Sequence, residues 1–360
     1  MLLQATDYQF ARLSQSLAGV WQLLGDWETR WARRRLAGMH LDRPVFLTGL
    51  ARSGTTILLE ELSKRPGVAT HRYRDFPFLM TPLCWNWYLD RFQTGGEPVE
   101  RPHKDRIHIT PASPEAFEEP IWRHFFPQWR DPNVGHAVTA AYQHPAFEAF
   151  YRDHLKKIVS LRGGQRYLSK GNYNFTRLAY LARLFPDARF LVPVRDPVEH
   201  VDSLVRQHRQ FCEYAQADAR VPEYLKIAGH FEFGPQRQPL RLDTAATERT
   251  REAWGAGNDH LGYAIQWQAA YQFVRTQVET DPTLRQRVLF IRHEDFCERP
   301  REVFREIVEF TGLSSTGLDT QTLNHIRPSP SVRPKLAAEI VESIENETSV
   351  TARAYGYLDE

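Results

Sequence analysis

Between positions 1 and 43 the apolar residues Leu13, Leu17, Trp21 and Leu24 recur at helical spacing. The segment is therefore expected to be helical, with that stripe turned towards a core. The basic run Arg33-Arg34-Arg35 leaves a second reading open, a helix lying on a membrane surface with a basic end. At Pro44 the period breaks. Val45-Phe46-Leu47 has the length and composition of a buried strand, and Leu58, Leu59 and Leu62 then return to helical spacing. Pro66-Gly67 signals a turn, and Val68 through Asp75 reads as a second strand running into a charged end. From 76 to 150 the alternation pauses in a stretch crowded with aromatics, prolines and histidines, read as an insertion that covers the sheet edge or builds an acceptor pocket. It resumes with a strand at Arg166–Lys170, a helix bearing Leu178, Leu181 and Leu184, and a strand at Arg189–Val194. Residues 211–260 mix glycine, proline and charge and read as a lid or substrate loop with short helices. A helix from Tyr263 to about Val278, a strand at Val288–Ile291 and a helix from Pro300, closed by Gly312, follow. Strands alternating with helices predict an α/β fold, an open parallel sheet flanked by helices with helical insertions. The expected divisions are a helical segment 1–43, the α/β domain 44–313 and a tail 314–360 that packs on it.

The first strand leads into Gly49-Leu-Ala-Arg52-Ser53-Gly54-Thr55-Thr56 and then into a helix. Strand, glycine loop and helix start together aim backbone N–H groups and a partial positive charge at one point, which is a recipe for holding a phosphate-like group. The spacing satisfies most of the P-loop pattern, but Thr55 stands where that pattern has its lysine, and the loop's cation is Arg52. Arg52, Ser53, Gly54, Thr55 and Thr56 are the resulting anion-binding candidates. A second candidate grip comes from the strand ending at Val194. Asp196 suits a helix N-cap and Pro197 a first helical position, so Arg195 lies at the strand end and Ser203 about two turns into the helix. The charged end of the second strand adds His71, Arg72, Arg74 and Asp75, and Lys170 ends another strand. Ser113-Pro114 looks like a helix start, which gives Glu115, Glu118 and Glu119 an ordinary explanation as first-turn acids, with Glu118 or Glu119 kept as a second-choice base. Near the C-terminus a basic, proline-rich loop containing Arg327 and Arg333 is usual for a solvated surface, and it could also fold over a bound anion.

Composition narrows the classes. In 360 residues, 46 Lys and Arg oppose 44 Asp and Glu, a net charge of +2 that carries no nucleic-acid signature. Three dispersed cysteines, Cys84, Cys212 and Cys297, form no CxxC pair and suit a reducing, cytoplasmic compartment. No stretch approaches the roughly 20 apolar residues of a membrane span. The start, MLLQATDYQF, lacks the character of a secretory signal. The histidines show no HExxH and no zinc spacing, so no metal site is expected.

Three blocks in order resemble the sulfotransferases that use 3′-phosphoadenosine 5′-phosphosulfate (PAPS). They are GLARSGTTILLEEL, LFPDARFLVPVRDPVEHVDSL and VLFIRHEDFCERPREVFREIVEFTGL. The resemblance implies that the first block binds the 5′-phosphosulfate and that Arg195 and Ser203, eight positions apart, bind the 3′-phosphate. It implies that Lys170 and Arg52 face the group in transfer, with PAPS as co-substrate and no metal. Tyrosylprotein sulfotransferases carry a glutamate just after the second strand. Here an ungapped comparison puts Arg72 there, leaving the base among Asp75, Glu118, Glu119 and His71. The expected acceptor is a small-molecule, carbohydrate or lipid-linked hydroxyl, with peripheral contact to a membrane surface conceivable and no nucleic-acid partner. A P-loop kinase or NTPase, and a non-catalytic nucleotide- or glycan-binding protein of the same fold, are the competing readings.

Overall fold

The computed structural model describes residues 3–92, 99–100, 108–316, 323, 326 and 335–358. The chain opens with α1 (Ala5–Ser16), α2 (Ala18–Trp31) and the single turn α3 (Arg33–Leu36), then enters β1 (Val45–Leu47), α4 (Thr55–Ser63) and β2 (Val68–Ala69). The aromatic stretch holds α5 (Pro82–Phe92), the antiparallel pair β3 (Val99–Glu100) and β4 (His108–Ile109), α6 (Glu119–Phe125) and α7 (Pro145–Arg162). Next come β5 (Arg166–Lys170), α8 (Leu178–Leu184), β6 (Arg189–Val194), α9 (Pro197–Ala217), α10 (Val221–Ala228), α11 (Thr244–Gly255), α12 (Asp259–Thr280) and α13 (Pro282–Arg285). β7 (Val288–Arg292), α14 (His293–Glu298), α15 (Pro300–Thr311) and α16 (Ala338–Ala354) follow.

Five strands form one parallel sheet in the order β2-β5-β1-β6-β7, so β1 lies at its centre. The apolar run in β1 is unbroken because both faces are covered. Val45 and Leu47 point into a cluster with Leu59, Phe304 and Ile307, whereas Phe46 points into the larger cluster with Phe190, Tyr151 and Leu181. The carboxyl ends of β1, β5, β6 and β7 therefore meet along one rim, where an open parallel sheet binds its ligands. Thr48 knits that rim: its Oγ1 donates to Gly171 O at 2.7 Å and accepts from the Phe175 N–H at 2.8 Å. The C-terminus is drawn to the same edge, where Tyr357 places its hydroxyl 2.9 Å from Val194 O and 2.7 Å from a Glu294 oxygen.

Three expectations change. The second strand stops at Ala69; residues 73–75 form a 3-10 turn instead, and Arg72 makes an isolated antiparallel bridge to Pro114. Ser113 does not start a helix, because its segment is engaged in that bridge, and α6 begins six residues later at Glu119. The N-terminal stripe does not face the core. Leu13, Leu17 and Leu24 are more than 40% exposed, and of the four only Trp21 turns inward, onto Phe78. Among the described residues no helix is long and apolar enough to cross a membrane.

Candidate active site

The glycine loop leaves the centre of the sheet and is held in an unusual shape. Arg52 has φ 72° and Gly54 has φ 100°. A left-handed conformation at a non-glycine residue costs about 1–3 kcal/mol and persists only where the surroundings enforce it. At Gly54 the reason for glycine is direct: a Cβ there would stand 2.6 Å from His293 Nδ1. Gly54 is also the N-cap of α4 and offers no side chain to the helix's first turn. Those N–H groups thus keep their capacity for an anion. The underside of the loop is braced by His200, whose Nε2–H donates to Ala51 O at 2.8 Å. Burial pushes the His200 pKa down to about 3, so this ring is a neutral strut. Burial, with the charges of Arg195 and Arg52, holds His293 at about 3 as well.

Arg195 and Ser203 come together on the loop as their spacing implies. Asp196 caps α9 by accepting from the Glu199 N–H at 3.0 Å, and Pro197 opens the helix. Arg52 Nε donates to Ser203 Oγ at 3.2 Å, and Arg195 reaches back to Arg52 O at 3.5 Å while pairing with Glu199 at 2.9 Å. Arg195 Nε is buried with no acceptor among the described residues. An orphaned guanidinium N–H beside a second arginine, a serine and an uncapped helix start fits an anionic ligand with more than one charged group. Arg333 lies outside the described residues.

Lys170, at the end of β5, joins this rim. Its Nζ is 3.0 Å from Thr56 Oγ1 and 3.2 Å from Glu115 Oε1. Glu115 also accepts from its neighbour Ala116 N–H at 2.7 Å and from the Tyr73 hydroxyl. From its local sequence Glu115 is an ordinary first-turn acid. It arrives here because residues 113–115 pair alongside 71–73: Tyr73 N–H donates to Ser113 O at 3.0 Å and Glu115 N–H to His71 O at 3.1 Å. A carboxylate thus lies beside the second strand's end, supplied by a different segment from the one compared. The signal that could have found it is Pro114, which favours extended backbone in the residue before it.

The other acid and base candidates are placed differently. Asp75 is fully enclosed and accepts from Arg162 Nη2 at 2.5 and 2.6 Å, Asn86 at 2.9 Å and the Arg72 N–H at 2.8 Å. Burial alone would raise its pKa, but His71 and Arg162 outweigh it and hold the carboxyl far below the usual range. Such a group anchors a turn and is a poor proton acceptor, which corrects its candidacy as the base. His71, also buried, stacks on His154 with Nε2 atoms 3.1 Å apart. Glu118 is buried among Tyr151, Tyr167 and Asn174. Both are interior supports. Glu119 pairs with Arg177, and burial nevertheless raises its pKa.

Glu119 lines a small chamber of about 40 Å³ that also touches Leu50 and Ala51 of the loop. In its wall Glu232 accepts from Asn172 at 3.0 Å and Tyr173 at 2.7 Å. Burial opposes the Glu232 charge, yet His230 and Tyr173 outweigh it and take the pKa down to about 2. A second chamber, about 590 Å³, lies against α1 and α2 and is lined by Trp21, Phe76, Phe78, Met80 and Ile121. The two share Arg123, Phe231 and Gln238, and the Arg123 guanidinium lies 3.6 Å over the Phe231 ring.

Fold and rim together define an α/β protein whose central glycine loop lies among the converging cations Arg52, Arg195 and Lys170. A family model described as "Sulfotransferase family" matches residues 44–227, just over half of the chain. The chain belongs to the sulfotransferase family. Among solved structures, sulfotransferase STF9 from Mycobacterium avium is similar at 15% identity and TM-score 0.51, covering 92% of this chain and 82% of that one. Sulfotransferase STF1 from Mycobacterium tuberculosis H37Rv is 14% identical (TM-score 0.47, 92% and 83% covered). A sulfotransferase from Alicyclobacillus acidocaldarius is 16% identical (TM-score 0.43, 88% and 97% covered). The likeness to STF9 speaks to the fold, a parallel sheet flanked by helices. No curated protein matches the chain in sequence.

Proposed function

We propose that the chain transfers a sulfuryl group from PAPS to the hydroxyl of a small-molecule, carbohydrate or lipid-linked acceptor. The observation that carries this reading is the convergence of Thr56 and Glu115 on Lys170, each within hydrogen-bond reach of its Nζ, at an uncapped helix start. Bound PAPS would supply the sulfuryl group on a mixed phosphate–sulfate anhydride. Arg52, Lys170 and the N–H groups of residues 53–56 bring fixed positive charge to the place where negative charge grows, so little reorganisation is needed during reaction. Glu115 accepts the acceptor's proton, and its contact with Lys170 couples the two groups. Arg195 and Ser203 grip the 3′-phosphate, with Arg195 Nε as the donor left for it. The smaller chamber suits a hydroxylated head and the larger one a sugar or apolar extension, with Arg123 and Phe231 between them. No disulfide joins Cys84, Cys212 and Cys297, in keeping with a cytoplasmic site of action. A kinase or NTPase reading meets Thr55 where its lysine should be.

The test is transfer of radiolabelled sulfate from PAPS across carbohydrate, lipid and phenolic acceptors, beside calorimetry with adenosine 3′,5′-bisphosphate. Arg195→Ala should weaken bisphosphate binding about 10- to 150-fold, the equivalent of roughly 1.5–3 kcal/mol for a charge-assisted contact, and leave acceptor KM little changed. Equal losses on both sides would make the arginine structural. Absence of bisphosphate binding by the intact chain would end the proposal.

A further inference from the structure

The N-terminal helices are built inside out. Ala11, Ala18, Gly25 and Ala32, one every seventh residue, line the side that meets the rest of the molecule, with Ala18 the least buried of them. A Cβ at Gly25 would stand 2.5 Å from Met80 O, so α2 lies hard against the domain. Lys157 secures it there, donating to Gly25 O at 3.0 Å and pairing with Glu28 at 3.1 Å, both side chains fully enclosed. The large apolar residues point the other way. Leu13, Leu17, Val20, Leu24, Trp27 and Trp31, alternately four and three residues apart, are each more than 40% exposed. Core packing would have put the small residues outside and these inside.

This surface extends onto α5. Ring contacts run from Phe10 to Phe78 (6.2 Å), to Trp85 (4.7 Å), to Tyr88 (5.5 Å) and to Phe92 (5.0 Å), and Phe10, Tyr88 and Phe92 are exposed. Trp87, also exposed, has the Arg91 guanidinium 4.5 Å over its ring. The charge beside the apolar surface is mostly basic, although Asp7 on α1 and Asp90 on α5 are exposed. Arg30, Arg33 and Arg34 are exposed, while from Arg12 to Arg35 the acidic residues are Asp26 and the enclosed Glu28. Large apolar side chains exposed in this number on adjoining helices mark an interaction site. Tryptophan and tyrosine rings set among arginines match the boundary between acyl chains and anionic headgroups.

We propose that the outer face of α1, α2 and α5 docks on a lipid bilayer carrying anionic headgroups, its apolar rings entering the acyl boundary and Arg30, Arg33 and Arg34 meeting phosphates. The surface is separate from the loop, Lys170 and Glu115, so its use does not depend on the reaction proposed above. The test sediments the full chain with vesicles of phosphatidylcholine plus phosphatidylglycerol and with vesicles of phosphatidylcholine alone. Binding to the mixed vesicles should be at least about tenfold tighter than to the neutral ones and should weaken with added salt. The double variant Leu23→Ser, Trp31→Ser changes the two most exposed large apolar residues of α2. It should lose vesicle binding at least about tenfold while keeping its circular dichroism, Tm and bisphosphate affinity. Wild-type protein that stays in the supernatant with both vesicles overturns the proposal. So does a wild-type dimer in light scattering that the same variant converts to monomer, which would assign the face to a second copy of the chain.

Discussion

Asp75 and Glu115 lie in neighbouring stretches of backbone, the turn after β2 and the segment before α6, and their surroundings differ in kind. Asp75 is sealed: Arg162 grips both its oxygens, and Asn86 and the Arg72 N–H take up further acceptor capacity. Glu115 faces the rim, where it pairs with Lys170, itself in contact with Thr56 of the loop. A carboxylate enclosed by an arginine serves to hold a turn. One that shares a cation with the glycine loop is placed for the proton chemistry proposed above. The type of residue is the same in both corners, and what separates them is the direction in which the neighbouring charge can be used.

The contrast can be broken by substitution. Lys170→Ala and Glu115→Gln should give the largest effects, each lowering kcat about 10²- to 10⁴-fold with bisphosphate binding nearly intact, as expected for charge stabilisation and general-base groups. Steady-state kinetics with calorimetry reads both, and a Glu115→Gln enzyme with normal turnover would move the base elsewhere, with Glu119 next in line. Asp75→Asn should behave in the opposite way. Leaving Arg162 without its charge partner should cost about 3–5 kcal/mol of stability in urea unfolding, while kcat per folded molecule stays within about twofold. A stable Asp75→Asn protein with collapsed turnover would reverse the two assignments.

Acidification probes the loop side of the same rim. His200 and His293 have folded pKa values of about 3, below the unfolded value of about 6.5. Between those limits the unfolded chain binds protons that the folded chain refuses. The stability from keeping these rings neutral is complete only well above the unfolded value of about 6.5 and declines as pH falls, by at most about 1.4 kcal/mol per pH unit for each ring. Urea midpoints measured at about pH 7.5, 6.5 and 5.5 should fall slightly between the first two, where the unfolded rings become half protonated, and more steeply to the third. A flat profile would mean that the rings accept protons in place and do not brace the loop as neutral struts.

The parts of the fold that were legible from residues alone share a scale. β1, the glycine loop and α4 were readable because strand, positive-φ glycine and helix start follow one another within some twenty residues. The Asp196 cap and the spacing of Arg195 and Ser203 were readable for the same reason: one helix geometry sets both. Ser113-Pro114 misled. Its local helix-start character lost to a pairing with residues 71–73, and the gain of backbone hydrogen bonds to a distant segment outweighed a modest local preference. The stripe at Leu13, Leu17 and Leu24 was correctly periodic and wrongly oriented. Periodicity marks which residues share a face and carries no information about what that face meets.

From its order of residues, then, this chain determined most of the elements, the glycine loop and the placing of Arg195 just after β6 and of Ser203 on α9, because each rests on torsion preferences and contacts between near neighbours in the chain. The tertiary structure decided which carboxylate reaches Lys170, which one is sealed under Arg162, and that the small residues of α1 and α2 face inward. Those outcomes depend on burial and on charges brought together from far apart in the chain, and burial is a property of the whole packed molecule.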